Sequence, residues 1–394
     1  MKRVLLGVVA LATLMAGAPA AMSTPKPAGP TPASACARPA ATGHVTCTVV
    51  ARPGAVAKAE VADEAAPAGY GPDDLRSAYQ LPAASTTATV ALVTVFDDPN
   101  AEADLGVYRE RFGLPPCTTA NGCFAKLDER GGTSYPESND YWADEVALDL
   151  DTISAVCPSC HLLLVEADDT FTQDVGESVN TAVAHGATSV VDGSAGFEES
   201  DETQYDQAYF THPGVTITAP TGDYGYSNGT AIPYPGVSPG VISVGGTSLQ
   251  RDPDSPRGWT ETAWSSSGSG CSVVEPKPAF QDDPGCAGTT AADVSAVANP
   301  ATGTAAYNTF GRNGGWKVLG GTGGAASLVA GIAALAGTNQ PAKAFPYAAV
   351  SALNDVTSGT TGYCDGSYLC TAGAGYDGPT GLGSPRGVLA FTPP

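Results

Sequence analysis

Ala88 to Phe96 reads ATVALVTVF. The run is rich in β-branched residues, carries no charge, and does not alternate apolar with polar positions as a strand with one wet face would. A short apolar run of this kind is a strand covered on both faces, the habit of parallel sheets. Comparable runs follow at His161 to Ala167, Ser189 to Val191, Gly214 to Ala219 and Gly240 to Val244. Helical stretches lie between them. Asn100 caps one that ends near Phe112, stopped by Pro115-Pro116, and another runs from Asp174 to His185. Buried strands alternating with helices predict an α/β fold: a mostly parallel sheet flanked by helices. Ligands in such sheets bind at the carboxyl ends of the strands.

The chain has 394 residues with 42% hydrophobic content, enough for one large domain or two smaller ones. Forty acidic residues face 18 basic ones, a net charge of −22. That balance argues against a nucleic-acid partner and against an anionic membrane surface, since both need clustered Lys and Arg. It suits solubility, and also an acidic medium, where carboxylates protonate and self-repulsion falls.

At the amino end Lys2-Arg3 precede an apolar run from Val4 to Met15, and Ala18-Pro19-Ala20 offers a cleavage site. This predicts a signal peptide over 1–20 and a secreted, extracellular protein with no membrane association after cleavage. Residues 21–68 are rich in Ala, Pro and Thr and are expected to be a low-complexity leader or linker. A single ordered domain is expected over 69–394. The ten cysteines fall as sequence neighbours: 36 and 47, 117 and 123, 157 and 160, 271 and 286, 364 and 370. An even count in an exported chain suggests disulfides, and local pairing is the simplest connectivity. Cys157-Pro-Ser-Cys160 also has the form of a redox motif, without the surrounding pattern of one. The four histidines show no zinc-ligand spacing.

Three places carry candidate chemistry. Glu145 and Asp149 stand four apart in WADEVALDLDTISAV, which on a helix puts both on one face. Two close carboxylates cannot easily both ionise, so one keeps its proton to higher pH; a solvated helix face would give the same spacing. Asp223 sits in the glycine turn TGDYG, directly after a strand, where turn propensity alone also favours it. Gly320 to Gly331, GGTGGAASLVAG, is a glycine turn feeding a small-residue helix. Such a turn presents a nucleophile in serine hydrolases, or permits close helix packing.

In this order the pieces resemble the sedolisin family of serine-carboxyl peptidases, in a divergent, actinobacterial-type secreted form. The resemblance covers residue 69 to the carboxyl end and includes GYGPDDLRSAYQLP, EVALD, TGDYG and GYDGPTGLGSP. It implies a subtilisin-like fold and a Ser-Glu-Asp triad. Glu145 would be the base, Asp149 would orient it and share a proton, and Asp223 would donate to the oxyanion. The family motif Gly-Thr-Ser-x-x-x-Pro aligns Gly321 and Thr322, but Gly323 occupies the serine position and Ser327 the proline position. The nucleophile is missing. Thr322 is one residue too early and Ser327 about one helical turn, roughly 6 Å, too late to replace it.

The resemblance further implies a calcium site in a C-terminal loop, with Asp355, the Val356 carbonyl, the Gly373 and Gly375 carbonyls and Asp377 as ligands; hard cations favour such oxygens. Residues 21–68 are too short for the long folded propeptide of many such enzymes. Asp192-Gly-Ser-Ala-Gly196 replaces a Ser-Trp-Gly strand end, so the substrate cleft lacks an aromatic. Glu261 to Ser272 is expected to be a surface loop near the site. Three functions compete: a pseudopeptidase that binds a peptide or protein, an active endopeptidase using a displaced hydroxyl, and a structural, calcium-stabilised exported domain. A monomer is expected.

Overall fold

The computed structural model describes residues 33–34, 36, 43–52, 67–197, 200, 202–227, 232–311, 314–337 and 343–393. The expected signal peptide lies outside them. Eight strands form the central sheet. Seven pair in the order Trp259–Ala263, Val241–Arg251, Thr216–Pro220, Ser189–Asp192, Thr89–Val95, His161–Ala167 and Phe124–Asp128, and Val294–Val297 pairs with Val241–Arg251 as well. Every pairing is parallel except that of Val241–Arg251 with Trp259–Ala263. The sheet is therefore mostly parallel and flanked by helices, the subtilisin-like α/β arrangement expected.

The central strand shows why its sequence does not alternate. Val90 and Leu92 belong to the core formed with the helices Asp140–Val156 and Thr322–Ala336, while Ala91, Val93 and Val95 belong to a second core with Thr172–Ala184. Both faces are dry, so both parities are apolar. Leu162 and Leu164 against Leu163 and Val165 repeat the division one strand away. From Thr89–Val95 the chain first builds the His161–Ala167 side of the sheet, then crosses to Ser189–Asp192 on the other side. The carboxyl ends of Thr89–Val95 and Ser189–Asp192 thus flank a topological switch point, where α/β sheets open a crevice.

All ten cysteines are paired, in the five local pairs. No helix among the described residues is long and apolar enough to cross a membrane. Two expectations change. Glu261 to Ser272 is not a surface loop: Trp259–Ala263 and Ser269–Pro276 are strands, and Ser267, Ser269 and Ser272 are buried. Ser267 Oγ accepts the Gly246 amide at 2.8 Å, which ties this segment into the sheet. The second change concerns the expected leader, where 43–52 is ordered. Thr46–Cys47 and Val50–Ala51 are strands, and Val45 through Val50 are buried. The run VTCTVV is β-branched throughout apart from its cysteine, and its valines and cysteine are taken up by cores that the rest of the chain builds.

Candidate active site

Glu145 and Asp149 lie on the helix Asp140–Val156, started by Asn139, whose side chain accepts the Tyr141 amide at 3.0 Å. Both carboxyl groups are fully buried and face the amino end of the helix Thr322–Ala336. Glycines let the two helices close together. A Cβ on Gly324 would stand 3.0 Å from the Leu148 side chain, and one on Gly331 would stand 2.5 Å from Val156 Cγ2. The small-residue stretch therefore serves close packing and also ends at the site.

At that end Gly321 has φ +128, and a Cβ on it would overlap the Thr48 carbonyl oxygen. Only glycine satisfies both demands. A Cβ on Gly323 would overlap Glu145 Oε1 and Thr48 Oγ1 and would stand 3.1 Å from the Gly193 carbonyl. The Glu145 carboxyl group thus leans into the volume that a side chain at 323 would use. The helix begins at Thr322, and its amide and hydroxyl donate to Asp223 Oδ1 at 3.0 and 2.8 Å. Asp223 Oδ2 is buried with no hydrogen-bond partner. Asp223 reaches this position through the turn after Thr216–Pro220, where Gly222 and Gly225 take φ +78 and +74.

A further carboxyl group joins them. Asp192 is fully buried at the end of its strand, with Oδ1 accepting the Ser194 amide and hydroxyl and Oδ2 unpartnered. Neither Asp149 oxygen nor Ser327 Oγ closes a hydrogen bond, although Ser327 lies beside Asp149. Asp149 Oδ2 packs so near Gly193 that a Cβ there would stand 2.5 Å away. Burial holds Glu145 well above the usual carboxylate range; Asp149 and Asp223 push it further and the Thr48 donors oppose them. Burial also raises Asp149; the Ser327 hydroxyl opposes the rise and Asp192 adds to it. Asp192 and Asp223 are both pushed up to about 7, chiefly by burial. No ion pair of the described residues involves any of these four groups. They are a group of buried acids that hold protons, with Glu145 Oε1 beside position 323 and Asp223 Oδ2 beside position 321.

The structure thus brings together Glu145, Asp149, Asp223 and Gly323. Sequence reasoning missed Asp192 and Thr48. The Thr48 amide donates to Glu145 Oε2 at 2.5 Å, and its hydroxyl donates to Glu145 Oε1 at 3.1 Å and lies 3.2 Å from the Gly193 carbonyl. The VTCTVV run was the only signal for it. The sulfurs of Cys36 and Cys47 lie within 4.8 Å of a Glu145 carboxylate oxygen, so that disulfide also borders the site.

Asp355, Val356, Gly373, Gly375 and Asp377 form a separate loop cluster. Asp377 is buried, with Oδ1 accepting from Thr380 and Oδ2 from the Gly373 amide at 2.9 Å; Asp355 Oδ2 accepts the Gly375 amide at 2.9 Å. Burial raises Asp377 to about 6, and the Asp355 charge adds to the rise. Neither carboxylate has an ion-pair partner among the described residues. Two mutually repelling acids in a glycine loop fit a hard cation.

A carboxylate pair and a third acid thus meet around a helix start on a subtilisin-like sheet. No family model matches the chain. The chain is similar to sedolisin of Pseudomonas sp. (strain 101), 29% identical over 368 residues, which cover 80% of this chain and 60% of that protein. It is likewise similar to kumamolisin of Bacillus sp. (strain MN-32), 29% identical over 370 residues, covering 82% of this chain and 63% of that protein. The chain therefore spans less than two thirds of the length of these relatives. Among solved structures, Pseudomonas sedolisin, a serine-carboxyl proteinase complexed with two molecules of pseudo-iodotyrostatin, aligns with a TM-score of 0.69 at 24% identity, over 82% of this chain and 96% of that one. A lanthipeptide protease aligns with a TM-score of 0.51 at 14% identity, over 81% and 91%. These structures share the fold.

Proposed function

We propose that this chain is a secreted sedolisin-family protein, of the serine-carboxyl peptidase type, whose catalysis is lost or strongly impaired for want of a hydroxyl at position 323. The observation that carries this reading is Gly323 itself, placed at the helix start where a side chain would meet Glu145 Oε1. With a serine there, Glu145 would take its proton, Asp149 would share the charge, and protonated Asp223 would donate from Oδ2 to the tetrahedral oxyanion. Losing the nucleophile in subtilisin costs roughly 10⁶ in kcat. The nearby hydroxyls do not replace it. Thr322 is committed to Asp223, and Ser327 lies beside Asp149.

The remaining ligand class is an extended peptide, and calcium at Asp355, Val356, Gly373, Gly375 and Asp377 would brace the C-terminal loop by neutralising its carboxylate pair. A purely structural, calcium-stabilised exported domain is the second reading, favoured by the burial of residues 45–50 in the cleft. Casein digestion at about pH 3 to 5, where family-type carboxyl catalysis operates with its acids protonated, tests the first reading. No products are expected from the native chain, and clear products would overturn it.

A further inference from the structure

Residues 43–52 run as an extended segment between the strands Ser194–Phe197 and Gly315–Gly320. Resting on the vacant-nucleophile reading above, we propose that residues 43–52 are the protein's own cleft ligand, an extended strand held where a substrate would lie, with the Thr48 hydroxyl standing in for the one missing at 323.

Both walls of the cleft hold this strand by backbone pairing. On one side Thr46 pairs with Ala195 and Cys47 with Ser194, antiparallel. On the other Val50 pairs with Gly320 and Ala51 with Leu319, also antiparallel. The Val45 amide donates to the Thr170 carbonyl at 2.7 Å, and the Arg52 amide to the Val318 carbonyl at 2.9 Å. Main-chain bonds of this kind are how an added strand gains affinity whatever its sequence, while alternate side chains seek pockets. Here Val49 is fully buried in the core around Trp142 and Leu319, and Val50 in the other core.

The register centres on Thr48. Its nitrogen and hydroxyl meet the two oxygens of Glu145, and its carbonyl oxygen faces Gly321. A hydrogen bond from a hydroxyl to Glu145 is what the family's serine would make; here the donor comes from the strand. The Cys36–Cys47 disulfide pins the strand beside the same carboxylate. Any outside peptide must displace a tethered competitor, whose effective concentration is of millimolar order for short connections, so its apparent affinity falls with the fraction of clefts standing open.

The test uses the full chain and a fluorescein-labelled synthetic peptide of residues 43–52 with serine for the cysteine. Thr48→Glu sets a longer, acidic side chain against Glu145, which already faces Asp149 and Asp223, and above neutral pH should expel the strand. The variant is expected to bind the peptide at least tenfold more tightly than the native chain, and the amides of Thr46 to Val50, protected from hydrogen exchange in the native chain, should exchange freely. Equal peptide binding by the two, or exchange of those native amides within seconds, overturns the proposal. In acid, Gly323→Ser should cut its own chain at a peptide bond flanking Thr48, read as intact mass. A Gly323→Ser protein that digests casein yet leaves 43–52 whole leaves the vacancy reading standing and overturns this one. Casein digestion by the native chain would instead sink the vacancy reading. If Gly323→Ser does not fold, the exchange of Thr46 to Val50 in the native chain decides.

Discussion

Thr48 and Glu145, 97 residues apart, share two hydrogen bonds: the Thr48 amide donates to Oε2 at 2.5 Å and its hydroxyl to Oε1 at 3.1 Å. The pair fills the space beside Gly323, so a serine there must displace both groups. Overpacking of this kind costs about 1–3 kcal/mol, and Gly323→Ser should lose that much in urea unfolding. The cost should be shared with Thr48. In a double-mutant cycle, Thr48→Ala is expected to destabilise the Gly323→Ser protein less than the native one, with a coupling of about 0.5–3 kcal/mol. Strict additivity would mean that the two side chains do not compete.

Stability should fall as pH rises. Asp192 and Asp223 are pushed up to about 7 in the fold, against about 3.9 for a free Asp. Between those values the folded chain binds more protons than the unfolded one. Their contribution is therefore fully present below about pH 4 and is lost as pH rises to about 7. Glu145 and Asp149 are raised by the same burial and act in the same direction. The melting temperature should be higher at pH 4 than at pH 7.5, and Asp192→Asn with Asp223→Asn should flatten the difference. A melting temperature that climbs from pH 4 to 7.5 would contradict this account.

Calcium should stabilise the C-terminal loop. An ion at 100 times its Kd contributes about 2.7 kcal/mol, so a chelator should lower the melting temperature by several degrees. Asp377→Ala should reproduce that loss and then respond no further. An unchanged melting temperature in chelator would remove calcium from the loop.

Arg109 is 1% exposed and donates to the Pro115 carbonyl, Ser154 Oγ and the Pro158 carbonyl at 2.6, 2.9 and 2.7 Å. It staples the end of the helix Ala101–Arg111 to the helix Asp140–Val156 that carries Glu145. Arg109→Met leaves the buried Ser154 hydroxyl and two backbone carbonyls without their donor beside Asp151 and should cost about 1–3 kcal/mol. Arg109→Lys should recover little, since an ammonium cannot reproduce the guanidinium fork. Unfolding in urea would show a loss below 1 kcal/mol if the network were unimportant.

Much of this was legible locally. The strand at His161–Ala167 has the bounds its apolar run implies, and the central strand differs from its run only at the ends. The strand begun at Gly240 to Val244 runs on to Arg251, because its second half pairs with Trp259–Ala263 and Val294–Val297, partners that no local pattern names. Asp192 looked like part of a strand end. Only the turn through Gly193 brings it beside Asp149.

What the sequence determined by itself was whatever depends on near neighbours: parallel strands from unalternating apolar runs, two carboxylates on one face from a spacing of four, and the absence of a hydroxyl at 323; it offered local pairing of the cysteines as the simplest connectivity, and the fold carries those five disulfides. Tertiary structure alone decided what fills the cleft. Residues 43–52 read as part of a low-complexity leader rich in Ala, Pro and Thr because a strand's partners are chosen by edges and cores far along the chain. Val49 and Val50 find their burial, and Thr48 its acceptor, only once the walls at Ser194–Phe197 and Gly315–Gly320 stand on either side.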